Sequence, residues 1–222
     1  MVRHTEVLSR DSIGFIRMAL QLEEPSEGKS RPDVLRDNAQ APGYPIAIWA
    51  VSRPVRSIMG GVSADSMARS AQLASILAAL LIVFPIYYIG KTLFDRQTAF
   101  VAALIFQVLP VWTQVSSDGL SEAVFLLMAA MALWFGVIAV RRENPLWFAG
   151  AGLFAGLSYL VRPEGLVVAV ALGLVLCGLK FRLVLGWKPT FLRGSALAAG
   201  LVIAMAPYVA TIGRLTNKPT GD

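Results

Sequence analysis

The sequence predicts an all-α fold, a polytopic helical membrane protein with about six transmembrane helices. The 222 residues are 56% hydrophobic and only 15% charged, with a mean hydropathy of +0.63, whereas a soluble domain carries about 25% charged residues. The charges are also unevenly placed. Residues 1–67 hold eight basic and eight acidic residues, and the other charges lie in short intervals between long uncharged runs. This pattern excludes a disordered chain, a collagen-like fibre and an ordinary soluble enzyme.

Six runs are almost free of charged residues, and most are close to the about 20 residues that span a bilayer. The fifth is the shortest, and its span requires the basic residues that follow it to extend toward the interface. Pro85 and Pro110 lie inside the first two runs, where proline kinks a helix. Gly152 and Gly156 form a GxxxG pattern that predicts close helix packing. The predicted spans are residues 70–90, 97–117, 120–140, 144–161, 165–179 and 194–213.

The short loops between the runs predict the orientation. One set of alternate loops holds eight Lys or Arg residues, and the opposite set holds three. The positive-inside rule places the first set, which includes the Arg141–Asn144 loop, in the cytoplasm. Residues 1–67 then form an external loop with interfacial helices, residues 68–213 the transmembrane bundle, and residues 214–222 an external tail. An external amino-terminal segment needs a translocating helix before it, so we expect a piece of a longer protein, truncated at both ends.

The remaining composition excludes several functions. The net charge is +6, but the basic residues lie at the ends of apolar runs rather than in one stripe with aromatic residues, so we predict no nucleic-acid binding. The single Cys177 cannot form an internal disulfide. The sequence has no Cys/His cluster, phosphate-binding glycine loop or dinucleotide fingerprint.

Five of the charged side chains on the predicted external face are candidates for a functional site. They are Asp11 in the amino-terminal segment, and Asp118, Glu122, Arg162 and Glu164 at helix ends. Ionisable groups near a bilayer usually have a function or a partner. Carboxylates gathered at one membrane face therefore suit chemistry on a lipid-linked substrate.

Each of these residues also has a structural interpretation. Asp11 precedes an amphipathic stretch and has the position of a helix N-cap. Asp118 and Glu122 flank the start of the third span, where they complement the helix dipole. Arg162 and Glu164 flank a proline and predict an ion pair within a tight turn.

Several short motifs occur in a distinctive order. They are Arg10–Phe15, Ala41–Ile46, Ala68–Arg69 at the start of a long helix, Ser117–Ala123 and Gly156–Gly165. This order resembles the amino-terminal half of the GT-C membrane glycosyltransferases. More narrowly, it is similar to the branch that holds the protein O-mannosyltransferases and the lipid A aminoarabinose transferases. The resemblance extends over residues 11–208 and depends on the order and spacing of the motifs.

The resemblance implies an enzyme that passes a sugar from a polyprenyl-phosphate donor to an acceptor outside the cytoplasm. It implies that Asp11, followed four residues later by the aromatic Phe15, is the catalytic residue. A proline-rich segment and a second acidic position, Asp118 or Glu122, also match the family pattern. The predicted substrate-binding residues are Tyr44, Asp118, Glu122, Arg162 and Glu164.

The chain departs from the family pattern in two ways. Ala41 stands where some members have a basic residue, which leaves the partner of the donor phosphate open. The first helix of the family and the later helices of its bundle have no counterpart, as the expected truncation requires.

The implied chemistry requires a base for the acceptor hydroxyl, positive charge for the leaving phosphate and alignment of the reacting atoms. Asp11 is the expected base. The positive charge comes either from an arginine or from a divalent metal ion held by Asp11 with Asp118 or Glu122. The sequence does not choose between them, so a metal cofactor stays open. The candidate arginines are Arg10, Arg69 and Arg162.

The expected partners are the polyprenyl-phosphate-sugar donor, a glycan, lipid or protein acceptor, and the lipid bilayer. The expected location is the bacterial plasma (inner) membrane, as a multi-pass protein. The alternative is a non-enzymatic multi-pass protein, such as a transporter half or an assembly scaffold. That alternative predicts polar residues near the bilayer midplane, broken helices and internal repeats. The runs are apolar inside, apart from residues such as Gln107 and Ser75, which weighs against transport.

Overall fold

The computed structural model describes residues 10–109, 119–181 and 186–216, with side chains from Ser12 onward. Every regular element in these ranges is helical, which confirms the predicted all-α class. A 3₁₀ turn at Pro163–Gly165 joins the helix that ends at Val161 to the helix that begins at Leu166. The helices are α1 Arg10–Glu23, α2 Arg31–Asp37, α3 Gly43–Met59, α4 Ala64–Leu81, α5 Val83–Leu93, α6 Arg96–Val108, α7 Glu122–Arg142, α8 Pro145–Val161, α9 Leu166–Phe181 and α10 Trp187–Ile212.

Four helical segments among the described residues are long and apolar enough to cross a membrane. They are Ala64–Leu93, Glu122–Arg142, Pro163–Phe181 and Trp187–Ile212. The apolar helix α8 has 17 residues. Helix α6 ends at Val108, and the rest of the predicted second span, residues 97–117, lies outside the described residues from position 110 onward. The chain is a polytopic helical membrane protein, as predicted, while the total of six spans stays a prediction.

The first span is interrupted between α4 and α5. Pro85 has no N–H to donate to the carbonyl of Leu81, four residues earlier, so the helical ladder loses a hydrogen bond there. The break falls at Ile82, whose backbone keeps helical angles (φ −63°, ψ −20°), so the kink expected at Pro85 stays a prediction. Pro110, the other proline for which a kink was expected, lies outside the described residues.

Glycines bring α8 and α10 into direct contact. A Cβ atom at Gly152 would overlap the carbonyl oxygen of Leu197, and one at Gly156 would lie 2.6 Å from the Cβ of Ala204. Gly200 on α10 is equally close to the backbone of α8. The GxxxG pattern therefore serves helix packing, as predicted, and this packing fixes the end of α8.

Helices α1, α2 and α3 cover one end of the bundle. Helix α1 packs on α3 through the rings of Phe15 and Tyr44, whose centroids are 5.0 Å apart. An ion pair of 2.8 Å between Glu23 and Arg56 joins the same two helices near the end of α1. The layer shares one apolar core with α4 and α7, which includes Ala19, Tyr44, Ile48, Ala71, Val124 and Leu127. This core holds α1 and α3 against the helix ends that form the candidate site.

Candidate active site

A cavity of about 190 Å³ lies at the covered end of the bundle, where several elements begin or end. Helix α1 contributes an aromatic ring, and the loop between α2 and α3 contributes an amide. The start of α7 and the end of α8 contribute the charges. The lining includes Phe15, Gln40, Ala41, Ser121, Glu122 and Arg162.

Glu122 and Arg162 form an ion pair in this cavity. The Nη1 atom of Arg162 lies 2.5 Å from the Oε1 atom of Glu122, and the contact joins α7 to the end of α8 across 40 residues of sequence. The two side chains are 35% and 33% exposed, so a ligand in the cavity can reach both. The Oε2 atom of Glu122 is buried and has no hydrogen-bond partner among the described residues. The carboxylate therefore keeps unused acceptor capacity.

The turn after α8 places Arg162 at the cavity. Arg162 has an extended backbone, with φ of −147°, because the residue before a proline is disfavoured in a helix. The following Gly165 packs so closely on the backbone of α8 that a Cβ atom there would overlap it. Glu164 Oε2 lies 3.6 Å from the Nε atom of Arg162, so the ion pair predicted within the turn is present. Glu122, on another helix, is nonetheless the closer partner of Arg162.

The segment before Glu122 is held by two serines. Gly119 has a φ of +64°, a conformation that favours glycine. Its carbonyl accepts a hydrogen bond of 3.1 Å from the hydroxyl of Ser12 on α1. The next carbonyl, that of Leu120, accepts one of 2.9 Å from the hydroxyl of Ser75 on α4. Glu122 then opens α7, where the helix dipole favours a carboxylate.

Tyr44 lies beneath the cavity and is fully buried. Its hydroxyl donates to the carbonyl of Ala71 at 3.0 Å and lies 2.8 Å from the hydroxyl oxygen of Ser75. Burial raises the pKa of Tyr44 above its ordinary value of 10.0, which keeps the phenol neutral. These contacts give Tyr44 a supporting position, and its predicted contact with substrate stays a prediction.

The structure describes Asp11 by its backbone alone and does not describe Asp118. Asp11 is the second residue of α1, which places it inside the first turn and not at the predicted N-cap, and its side chain lies outside the described residues. Asp118 lies in the undescribed range before Gly119. The hydrogen bond from Ser12 to Gly119 sets the residue after Asp11 against the residue after Asp118. The backbone thus brings the starts of α1 and α7 together, while the approach of the two carboxylates stays a prediction.

Residues 45–208 match the model of the dolichyl-phosphate-mannose-protein mannosyltransferase family, and this range is most of the chain. The chain belongs to this family. Comparisons with curated proteins and with solved structures gave no match. Membership in the mannosyltransferase family makes the chain a GT-C-type glycosyltransferase, a class that uses polyprenyl-phosphate sugar donors, and confirms the predicted resemblance at family level. The narrower branch stays a prediction.

The family match covers the predicted site residues unevenly. Glu122, Arg162 and Glu164 lie within the matched range of the mannosyltransferase family. Tyr44 lies one residue before that range, and Asp11 lies well before it. The match assigns no role to any of these residues, so their functions in this chain stay predictions.

The described residues give little support to a metal ion. They contain no group of three or more His, Cys, Asp or Glu side chains that could hold one, although this search includes neither Asp11 nor Asp118. Glu122 is the one predicted metal ligand whose side chain is described, and a guanidinium of Arg162 already lies 2.5 Å from one of its oxygens. That charge repels a divalent cation at the same oxygen. The contact favours arginine over a metal as the source of positive charge.

Four polar residues at the site were not predicted from the sequence. Gln40 and Ser121 line the cavity, and Ser12 and Ser75 hold the backbone before Glu122. Ser12 and Ser121 lie inside the motifs that resemble the mannosyltransferase family, and Ser75 interrupts an apolar run. Their places in these motifs and in the apolar run are the sequence features that could have marked them as candidates. The carbonyl that each buried serine contacts is set by tertiary packing, which no local pattern contains.

Proposed function

We propose that this chain, within its complete protein, transfers a sugar from a polyprenyl-phosphate donor to an acceptor on the non-cytoplasmic side of the membrane. The observation that carries the proposal is the accessible ion pair between Glu122 and Arg162, next to the start of α1, in a chain of the mannosyltransferase family. The reaction takes place in the cavity that these two side chains line.

Arg162 supplies the positive charge for the donor phosphate. A guanidinium has five N–H donors, of which the Nη1 group donates to Glu122 while Nε lies 3.6 Å from Glu164. The guanidinium binds the oxygens of the donor phosphate through charge-assisted hydrogen bonds. Glu122 and Glu164 hold the guanidinium in place from two directions, so little reorganisation accompanies donor binding.

Asp11 acts as the general base. Its carboxylate accepts the proton of the acceptor hydroxyl, whose oxygen attacks the anomeric carbon of the donor sugar. The bond between that carbon and the phosphate oxygen breaks, and polyprenyl phosphate leaves with the electron pair. One displacement gives inversion at the anomeric carbon. The leaving group is already an anion, so the step requires no strong acid.

The finer assignments follow from the narrower resemblance. The donor carries a hexose or a pentose, and the acceptor is a glycan, a lipid or a protein. The location is the bacterial plasma membrane, with the cavity facing outward. Family membership favours this enzyme over the transporter half or assembly scaffold, because the matched family is one of transferases.

The test uses the complete reading frame that contains this chain, purified in detergent and supplied with a panel of radiolabelled polyprenyl-phosphate sugars. At least one donor is expected to give labelled product. Arg162→Ala and Glu122→Gln are both expected to lower transfer about tenfold or more, because each removes part of the positioned charge. Absence of transfer from every donor and acceptor tested would contradict the proposal.

The chain offers a matched control for these variants. Glu143, directly after α7, and Arg193 on α10 form another ion pair, at 2.9 Å, at the other end of α7. Since α7 has 21 residues, this pair lies about 30 Å from Glu122. Glu143→Gln removes a carboxylate from an ion pair without touching the cavity. It should leave transfer nearly unchanged, and an equal loss in both Gln variants would argue against a site at Glu122.

A further inference from the structure

Two serines hold two consecutive carbonyls just before Glu122. Ser12 on α1 donates to the carbonyl of Gly119 at 3.1 Å, and Ser75 on α4 donates to the carbonyl of Leu120 at 2.9 Å. The serines are 107 and 45 residues away from their partners in sequence. The backbone just before α7 is therefore hydrogen-bonded to both α1 and α4.

Both serine side chains are fully buried, as is Ser70, five residues before Ser75 on α4. Ser70 differs in its partner, because its hydroxyl donates to the carbonyl of Ser66 in its own helix. Such bonding within a helix is common for serine and joins no other element. Ser12 and Ser75 instead use their hydroxyls between elements, in an interior where an unmade hydrogen bond is costly.

The carbonyls of Gly119 and Leu120, which accept these two hydrogen bonds, come just before Glu122 in the sequence. Glu122 follows Leu120 by two residues, and its Oε1 atom must meet Arg162 at 2.5 Å. Ser12 also follows Asp11 directly, so the same contacts set the start of α1 against the start of α7. A shift of the Gly119–Leu120 backbone would move Glu122 relative to both Arg162 and α1.

We propose that Ser12 and Ser75 are positioning residues, which hold the carbonyls of Gly119 and Leu120 and thereby place Glu122 opposite Arg162. The expected loss of kcat rests on the proposed transferase function, whereas the placement of Glu122 by the two serines does not. Neither serine contacts the substrate in this scheme. Each acts through Glu122, whose geometry then sets the rate of transfer.

The kinetic test compares Ser75→Ala and Ser12→Ala with Ser70→Ala in the complete protein. Ser70→Ala is the matched control, since it makes the same change at the same burial on α4. We expect Ser75→Ala and Ser12→Ala to lower kcat about tenfold or more, with a smaller change in KM, because a misplaced group costs mainly transition-state stabilisation. Ser70→Ala should change kcat less than about twofold.

A double-variant cycle separates positioning from a general structural effect. If Ser75 acts through Glu122, the fold loss caused by Ser75→Ala should be much smaller in the Glu122→Gln background, whose residual transfer a radiolabel assay detects. The same loss in both backgrounds overturns the positioning role. So does a loss for Ser70→Ala that equals the loss for Ser75→Ala.

Amide hydrogen exchange tests the same inference without sugar transfer. Peptides that cover residues 119–128 should exchange faster in Ser75→Ala and in Ser12→Ala, and at the wild-type rate in Ser70→Ala. Unchanged exchange in both of the first two variants overturns the inference, even if transfer is observed. If the wild-type protein transfers no sugar but these peptides loosen as expected, the positioning contact stands and the proposed function alone fails.

Discussion

Gly43 at the start of α3 lies directly against Leu160 near the end of α8. A Cβ atom at Gly43 would lie 2.7 Å from both the carbonyl carbon and the carbonyl oxygen of Leu160. Arg162 follows Leu160 by two residues, and Ala41, on the cavity wall, precedes Gly43 by two. The absence of a side chain at Gly43 therefore sets how closely the two walls of the cavity approach each other.

We expect Gly43→Ala to destabilise the protein and to lower transfer. The atoms that the new methyl group meets belong to a backbone, which cannot rotate away, and overpacking of this kind costs about 1–3 kcal/mol. Gly173→Ala is the control, because a Cβ atom at Gly173 meets nothing within 4 Å. Thermal unfolding in detergent checks the prediction, and equal stability of the two variants would contradict it.

The ion pair between Glu23 and Arg56 should make the stability of the amino-terminal layer depend on pH. The hydrogen bond from Arg56 lowers the pKa of Glu23 below its ordinary value of 4.5. A carboxyl whose pKa is lowered by folding stabilises the protein above its unfolded pKa and loses that effect as the pH falls through its folded pKa. The contribution should therefore be complete at neutral pH, begin to decline near pH 4.5 and disappear only below the lowered pKa of the folded state.

Glu23→Gln checks this expectation. The variant should be less stable than wild type at pH 7, and the difference should shrink to nothing as the pH falls below the folded pKa of Glu23. Glu24→Gln, a change at the neighbouring exposed carboxylate, should have a smaller effect at pH 7. A constant stability difference at all pH values would show that Glu23 acts through packing rather than charge.

The helices and their packing faces were predictable because local patterns encode them. Apolar runs predict membrane helices, because the hydropathy of a span is carried by one continuous stretch of sequence. Gly152 and Gly156 predict a close helix contact, although not which helix makes it. These signals depend on residues a few positions apart.

The partners within the site were not predictable in the same way. Glu164 was the expected partner of Arg162, since the two residues are neighbours in sequence, but Glu122 lies closer. That contact exists because α7 packs beside α8. The carbonyl partner of Ser75 likewise depends on how α4 meets the start of α7. Tertiary packing decides such pairs, and a single sequence without its relatives does not display it.

Cysteine labelling should place residue 141 on the cytoplasmic side. Arg141 is exposed at the end of α7, and an Arg141→Cys change leaves the Asn144 side chain free to cap α8 at 2.9 Å. The native Cys177 is exposed and is replaced by serine first. An impermeant thiol reagent added to intact cells should label Ser26→Cys, in the predicted external segment, and not Arg141→Cys. Labelling of residue 141 from outside would overturn the predicted orientation.

Glu164→Gln should be milder than Glu122→Gln. The Oε2 atom of Glu164 lies 3.6 Å from Arg162, whereas Glu122 approaches to 2.5 Å and lines the cavity. Removal of the Glu164 charge leaves Arg162 held by its closer partner, so transfer should fall less than about threefold, in the range of a weak exposed pair. Steady-state rates at saturating donor check the order. A larger loss for Glu164→Gln would mean that the turn, rather than α7, orients the arginine.

Asp11→Asn tests the proposed base. Asparagine keeps the shape of aspartate, and loss of the charge in the first turn of α1 costs at most about 1 kcal/mol of helix-dipole interaction, so folding should be nearly unchanged. Loss of a general base costs typically 10²- to 10⁴-fold in rate, so transfer at saturating donor should nearly vanish. The loss should exceed that of Glu122→Gln, because Glu122 orients Arg162 and takes no proton in the proposed reaction. Near-normal turnover by a well-folded Asp11→Asn enzyme would show that Asp11 is not the general base. The fold, the family and the contact between Glu122 and Arg162 do not depend on that result.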